Sequence, residues 1–447
     1  MVARLRIAIV LLSIAPAVVS AQTTSSAPST RIDFPALDVP YNTANGYRAP
    51  SMPQTLALGE GFYEGTHRAI QDAWGDRTWS ARFTIVAADL FDTLVLPLPA
   101  SAGWVHEEYH RTILGRRGFG SFNDVYKFKF AADAIAVSHV TDDSLVRLKR
   151  ERPAEQVRLN SAGIEGEYQL VQGLEKREFF DGARSFHLPL YWLEKIGSVS
   201  YVASGTAAET NIETDEMNAS DGANVEVRDF TGHDFTAWVY DLHRPTESYE
   251  ARGVHPSGVG IDRYIKPSDL TAGELDYLRH QGRLQLLNFI DPFLFAYRGV
   301  TIGAGAQPVR LTANIGHLLT PFGRTIDSNV FVARGRMKLM TTVHAYANGE
   351  RSFPGVETAL LDYPVTFSGR AFNLSSRVAV WQQPEQQLFR STAGKIGGLA
   401  SIKLQHTRKG RFGAFAELEA KSAGWVAGSE ALDRNVSFRT GLSVILY

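Results

Sequence analysis

The sequence predicts an α+β protein: a helical N-terminal half followed by an antiparallel, β-barrel-like C-terminal half. Three observations carry this expectation. Between residues 59 and 300, apolar residues recur at three- and four-residue steps, the spacing of one helix face. From about Thr301 the period changes to two, the spacing of a strand with two unlike faces. At the front, Arg4 and Arg6, an apolar run over 7–15 and the small residues Val19-Ser20-Ala21 stand in the order of a secretory signal peptide, cut after Ala21. The chain therefore divides into a signal peptide over 1–21, a flexible leader over 22–58, a mainly helical metal-site domain over 59–300 and an antiparallel β domain over 301–447.

Composition narrows the function classes. A formal net charge of -1 without a basic block gives no electrostatic footprint for nucleic acid. There is no cysteine, so an exported chain of this kind relies on its core and not on disulfides. The apolar stretches over 83–95 and 186–202 are interrupted by Asp89 and Asp92, and by Glu194 and Lys195, which argues against a transmembrane helix in either. The 25 Phe and 16 Tyr suit a large core or membrane-interface belts equally well.

Taken in order, residues 22–53 are rich in Ser, Thr, Pro and Asn and read as an extended or disordered arm. Trp79, Phe83, Val86, Leu90 and Leu94 then predict a core helix that stops at Pro97. The next helix runs from Ser101 to Gly115, and a glycine-broken loop with Arg116 and Arg117 follows. Cations suit a helix C-terminus, which explains these two arginines without an anionic ligand. Thr141-Asp142-Asp143 is a helix start, and residues 160–176 form a helix whose Ser161, Ala162, Gly163 and Gly166 let a neighbour approach closely. An aromatic-rich core helix over 186–205 precedes an acidic loop over 207–224. Residues 234–264, punctuated by Gly and Pro and rich in His, Arg, Asp and Tyr, read as a functional loop. Thr271 and Glu274 form a capping box that opens a helix reaching Ile290. Beyond it, alternation over 309–316, 339–347, 365–371, 378–380 and 436–446 predicts strands, and the remaining length holds about eight of them, the smallest membrane barrel.

The chemistry concentrates in His106-Glu107-Glu108-Tyr109-His110, an H-E-x-x-H on the predicted helix. Positions i and i+4 share a helix face, so both imidazoles can reach one Zn2+. Glu107, about a third of a turn away, can act as general base on a water there. A third ligand is sought on the helix after Asn160, at Glu165 or at Glu167; these two point in different directions, so only one can reach a given ion. His243 and His255 in the long loop are further candidates, as ligands or as donors to a developing oxyanion, and Tyr109 shares that last role.

The motif resembles that of the zincin metallopeptidases, and Glu165-Gly166 is similar to the Glu-Gly of the gluzincins, whose third ligand is a helical Glu downstream of H-E-x-x-H. The resemblance implies zinc held by His106, His110 and a Glu, with Glu107 catalytic and a peptide or another envelope-associated molecule as substrate. The C-terminal G-L-S-V-I-L-Y resembles the end of bacterial outer-membrane barrels, which implies export to the outer membrane, with the periplasm as the alternative. Two other readings stay open: a non-enzymatic outer-membrane pore or binding protein, and a metal-dependent lipid or cell-wall hydrolase using the same site.

Overall fold

The computed structural model describes residues 30–74, 79–80, 83–87, 102–124, 136–182, 187–303, 307–408 and 411–446. The expected signal peptide lies outside them, as does most of the helix expected between Trp79 and Leu94. Within that stretch residues 83–87 are helical, and Trp79 and Phe83 are exposed, not in the core.

The first described element is strand β1 (Thr30–Val39), where the sequence pointed to a flexible leader. It is ordered because it pairs antiparallel with the last strand, β12 (Asn435–Leu446), in a register running from Thr30 opposite Leu446 to Val39 opposite Phe438. Local composition carries no trace of a partner 400 residues away. After a single turn, α1 (Tyr41–Ala44), the long helix α2 (Met52–Trp74) packs on β1. The motif helix is α3 (Ala102–Arg116). A small hairpin of β2 (Phe122–Asp124) and β3 (Ala136–Ser138) comes next, and then α4 (Asp142–Glu151), capped by Thr141 as expected. The central helix α5 (Pro153–Asp181), at roughly 1.5 Å per residue, is some 44 Å long. It is followed by α6 (His187–Ser204), α7 (Glu209–Asp221), α8 (Asp234–His243) and α9 (Ala272–Leu284). Helix α7 occupies the stretch expected to be an acidic loop; its exposed acids face solvent, while Thr210, Thr214 and Asn218 form its buried stripe. The capping box of α9 is present, Thr271 and Glu274 each serving the other's backbone N–H.

Residues 300–446 form one antiparallel sheet with β1. In chain order its other strands are β4 (Val300–Ile302), β5 (Val309–Thr320), β6 (Gly323–Arg334), β7 (Met337–Ala347), β8 (Ser352–Phe367), β9 (Arg370–Pro384), β10 (Gly394–Arg408), β11 (Phe412–Lys421) and β12. The sheet is 10-stranded, ordered β1-β12-β11-β10-β9-β8-β7-β6-β5-β4. The period-two expectation holds, but the barrel is not closed: β1 and β4 are its two edges. The alternation over 365–371 proves to be a hairpin, since Phe367 pairs with Arg370 across Ser368-Gly369.

Part of the sheet carries inverted polarity: on β12 Asn435, Ser437, Arg439 and Ser443 are buried while Val436, Phe438 and Leu442 are exposed, although Phe331, Trp381 and Leu399 on other strands are buried. Val378 and Val380 on β9 and Ile402 and Leu404 on β10 are exposed in the same way. The inward polar side chains satisfy one another or bind the helices. Arg439 reaches Asp38, Glu417 and Glu419 at 3.2, 2.8 and 3.1 Å. Helix α5 lies on this inner face, where Gly316 of β5 leaves room for the ring of Tyr168, and Gln172 bonds Asn329 of β6. No described helix is long and apolar enough to cross a membrane.

Candidate metal centre

Helix α3 presents His106 and His110 on one face, both buried, with ring centroids 4.8 Å apart. The face is covered by α5, which can approach because Gly163 lies under His106. A Cβ at Gly163 would stand 2.2 Å from His106 Nε2, and one at Gly166 would meet Tyr109 at 2.9 Å. Either contact is inside any tolerable separation, so these glycines set the distance between the two helices.

Each imidazole is oriented through its Nδ1. That of His106 donates to Glu167 Oε1 at 2.8 Å, and that of His110 to the carbonyl of Leu159 at 2.5 Å. Both partners are acceptors, so each Nδ1 carries a proton and each Nε2 points the other way. They face Asp234, the first residue of α8: its Oδ2 is 3.1 Å from His106 Nε2 and 3.4 Å from His110 Nε2. Buried His110 Nε2 has no hydrogen-bond partner. With the Nε2 atoms deprotonated, two lone pairs and a carboxylate oxygen turned on one point could hold a cation. Metal–ligand bonds of ~2.0–2.2 Å in a tetrahedral arrangement place ligand atoms ~3.3–3.5 Å apart, close to the spacing here. His106, His110 and Asp234 are the group of metal-binding side chains found among the described residues, with their ligand atoms within 4.8 Å of one another. Carboxylate and carbonyl partners behind two histidine ligands are the usual means of fixing their tautomer and basicity.

The electrostatics agree with a cation-seeking site. Burial alone would raise Asp234, yet the two imidazoles hold it below the usual carboxylate range. His106 is raised well above its ordinary value despite burial, mainly by Glu167 and by its bond to Asp234. Glu107 is half-buried and pushed up to about 7 by burial, against the pull of both imidazoles. Tyr201 of α6 adds a hydroxyl, donating to Asp234 Oδ2 at 2.9 Å, with its ring 6.0 Å from that of His106.

The two carboxylates expected to compete as third ligand have separate tasks. Glu165 is turned to the sheet, where it pairs with Arg158 at 2.7 Å and accepts from Trp425 Nε1 at 3.1 Å and from the backbone N–H of Gly428 at 2.9 Å. It lies apart from the histidines. Glu167 does reach the site, but behind His106, on the nitrogen that faces away from Asp234. The structure therefore puts Asp234 in the position sought for Glu165 or Glu167. Glu108 points away, to Arg111 and to Asn123 Nδ2 at 2.6 Å.

The two histidines expected in a loop do not join the site: His243, the last residue of α8, lies with its ring centroid 4.5 Å from that of Phe389, and His255 bonds Ser257 and the carbonyl of Asn218. Arg117 is engaged by Glu155 and Asp433. Tyr109 is fully buried against Gly166, so the phenol that approaches the centre is Tyr201 instead. Neither Asp234 nor Tyr201 has a local signature. Asp234 opened the stretch marked as a functional loop, but it stands 128 residues from His106, and only folding pairs them. Comparisons with family models, curated proteins and solved structures find no match to this chain, so its site rests on its own geometry.

Proposed function

We propose that this protein is a zinc-dependent hydrolase of peptide-type bonds, held in a bacterial outer membrane by its sheet. The observation that carries the catalytic reading is the convergence of His106 Nε2, His110 Nε2 and Asp234 Oδ2 beside Glu107. Zinc in that shell would make water a stronger acid and polarise a substrate carbonyl. Glu107 then accepts a proton from the attacking water as its oxygen bonds to the carbonyl carbon. The C–N bond breaks, and Glu107 returns the proton to the departing nitrogen, leaving a carboxylic acid and a free amine. Tyr201 is placed to donate to the oxygen that gains charge. Glu167 and the Leu159 carbonyl keep both imidazoles in the ligating tautomer.

The membrane reading is supported by the inverted sheet. An outward row including Val378, Val380, Ile402, Leu404, Val436 and Leu442 leaves aliphatic side chains about half uncovered, apolar surface that is better placed against lipid than against water. Outward apolar and inward polar alternation is the pattern of a strand that faces lipid. Because α5 packs against the inner face of the sheet, the architecture favours an enzyme over an open pore.

Metal analysis of purified protein tests the centre: stoichiometric zinc in wild type, and loss of it in His106→Ala and Asp234→Ala. Glu107→Gln should keep its zinc and its fold while hydrolysis of an unstructured protein substrate falls about two to four orders of magnitude. Glu107→Gln protein cleaving at the wild-type rate would sink the mechanism. Release of lipid or glycan without peptide cleavage would transfer the same site to the lipid or cell-wall class.

A further inference from the structure

Residues 285–302 join α9 to the sheet through two 3-10 turns and the short edge strand β4. Their polarity is inverted, although most of them lie outside any strand. Gln285, Asn288 and Asp291 are buried, while Leu286, Ile290, Phe295, Tyr297, Val300 and Ile302 are between 45% and 70% exposed. Thr301 is the other exposed residue of the segment, and it carries no charge. The two charged groups are drawn inward. Asp291 binds Lys195 and accepts the N–H of Phe293 at 3.0 Å, and half-buried Arg298 lies 3.9 Å from Glu178.

The inward groups close the free edge of β5. The carbonyl of Ile290 accepts the N–H of Ile315 at 3.0 Å, and β4 pairs with Val309, Arg310 and Leu311. Asn288 Oδ1 accepts the N–H of His317 at 2.6 Å, and its Nδ2 lies 3.4 Å from the carbonyl of the same residue. One side chain thus stands in for a neighbouring strand. At these positions β5 has no open groups left for strand addition by another protein. Lipid imposes the same condition, because it offers no hydrogen bond to a sheet edge.

The register makes the outward side chains continuous with the sheet. Val300 stands opposite Leu311, Leu311 opposite Val332 and Val332 opposite Leu339. Val343, four residues along β7 and so on the same face, stands opposite Val356, and Val356 opposite Val380. Opposed residues share a face, so Val300 and Ile302 extend the outward apolar row of the sheet to its β4 edge.

We propose that residues 286–302 are an interfacial lipid-binding surface, whose apolar side chains enter the acyl region of a bilayer beside the edge of the sheet. The proposal rests on the reading of the sheet as membrane-embedded, and adds to it a contact made largely outside the strands. Such side chains are better placed against acyl chains than against water. At the headgroup boundary, backbone groups that the turns leave unmet still reach water, which a deeper position would deny them.

The chain has no cysteine, so a single introduced one takes a nitroxide label without background. Full-length Phe295→Cys and Leu286→Cys proteins are labelled and reconstituted in phosphatidylcholine vesicles. Val378→Cys, on the outward face of β9, and Ile212→Cys, on the exposed side of α7, are treated alike. Electron paramagnetic resonance reads the collisions of each label with oxygen, which partitions into lipid, and with a water-soluble nickel chelate. Oxygen should be favoured at the labels replacing Phe295 and Leu286, as at that replacing Val378, and nickel at that replacing Ile212. Two positions in the segment keep the test decisive if one variant folds poorly. A nickel preference at both, with the Val378 position in lipid, overturns the proposal and leaves the reading of the sheet intact. Shielding of both from either reagent, as at a contact with a second copy of the chain, also overturns it. A nickel preference at the Val378 position overturns the membrane reading, and the proposal with it.

Discussion

In α3 the side chains hidden from solvent include Val105, Ile113 and Leu114, packed as in any globular core, with His106, Glu108, His110 and Thr112 as buried polar exceptions. In β12 the hidden side chains include Asn435, Ser437, Arg439 and Ser443, and the exposed ones are Val436, Phe438 and Leu442. The helical half buries polar groups at the histidine cluster and also in structural pairs such as Glu165–Arg158 and Asp241–Lys149. Strand β12 hides polar side chains and turns apolar ones outward, while other strands bury Phe331, Trp381 and Leu399. Burial of a polar group therefore does not by itself mark chemistry in either half; what marks it is convergence on one point.

Breaking the seam between the halves should have the largest effect. Glu165 is buried and joins Arg158 of α5 to Trp425 and Gly428 in the β11–β12 connection. Glu165→Ala leaves an uncompensated buried guanidinium and should cost about 3–5 kcal/mol in a denaturant titration. Folded Glu165→Ala should still bind zinc. If metal is lost while stability is kept, Glu165 belongs to the site and the division of tasks is wrong.

The inverted polarity is tested by Leu442→Arg, on the outward face, against a charge at an exposed helical position such as Ile212→Arg. In lipid the first should cost about 2–4 kcal/mol and deplete the protein from the outer-membrane fraction. In water both are surface changes within about 0.5 kcal/mol. Equal tolerance of the two would mean that the sheet faces solvent.

A smaller effect should come with acid. Asp241 of α8 is buried, which by itself raises it, but Arg252 at 2.8 Å and Lys149 at 3.0 Å bring it down to about 2. A carboxylate depressed on folding contributes stability that is present above its unfolded value, near 3.8, and lost as pH falls through the folded one. The contribution is about 2 kcal/mol, lost between about pH 4 and pH 2. Stability curves by denaturant between pH 5 and pH 2 should show this fall, and an Asp241→Asn protein should lack that part of it.

Glu167 should show the smallest change. Glu167→Gln keeps a hydrogen bond to His106 but weakens it, so zinc affinity should drop about 10- to 100-fold with stability little altered. Competition with a metal-binding dye reads this directly, and an unchanged affinity would remove Glu167 from the support of His106.

Glu165 and Glu167 also show how far the sequence could be read. Their separation by two residues on a helix already said that they face different ways, because successive residues turn by about 100°. Which of the two faces held the histidines depended on how α5 rolls against α3, and that roll is set by Gly163 and Gly166 under His106 and Tyr109. The pairing of His106 with His110 was legible because helix periodicity is local. Asp234 was not: it reaches them across 128 and 124 residues, through the placement of α8 against α5, and no spacing rule spans that distance.

In the sheet, too, local periodicity announced strands and their two unlike faces, since alternation is a property of the backbone itself. It could not say that β1 completes the array, nor that the sheet stays open between β1 and β4, because strand partners are chosen by contacts between distant segments. From its own pattern the chain determined a two-histidine helix, a glutamate beside it and a two-faced sheet. Tertiary packing decided that Asp234 joins the two histidines, which phenol approaches them, the separate duties of Glu165 and Glu167, and the side of the sheet on which the helices lie. The physical reason is one of range: dihedral preference and periodicity act within a few residues, whereas a coordination shell and a sheet edge are closed only by groups that folding brings together.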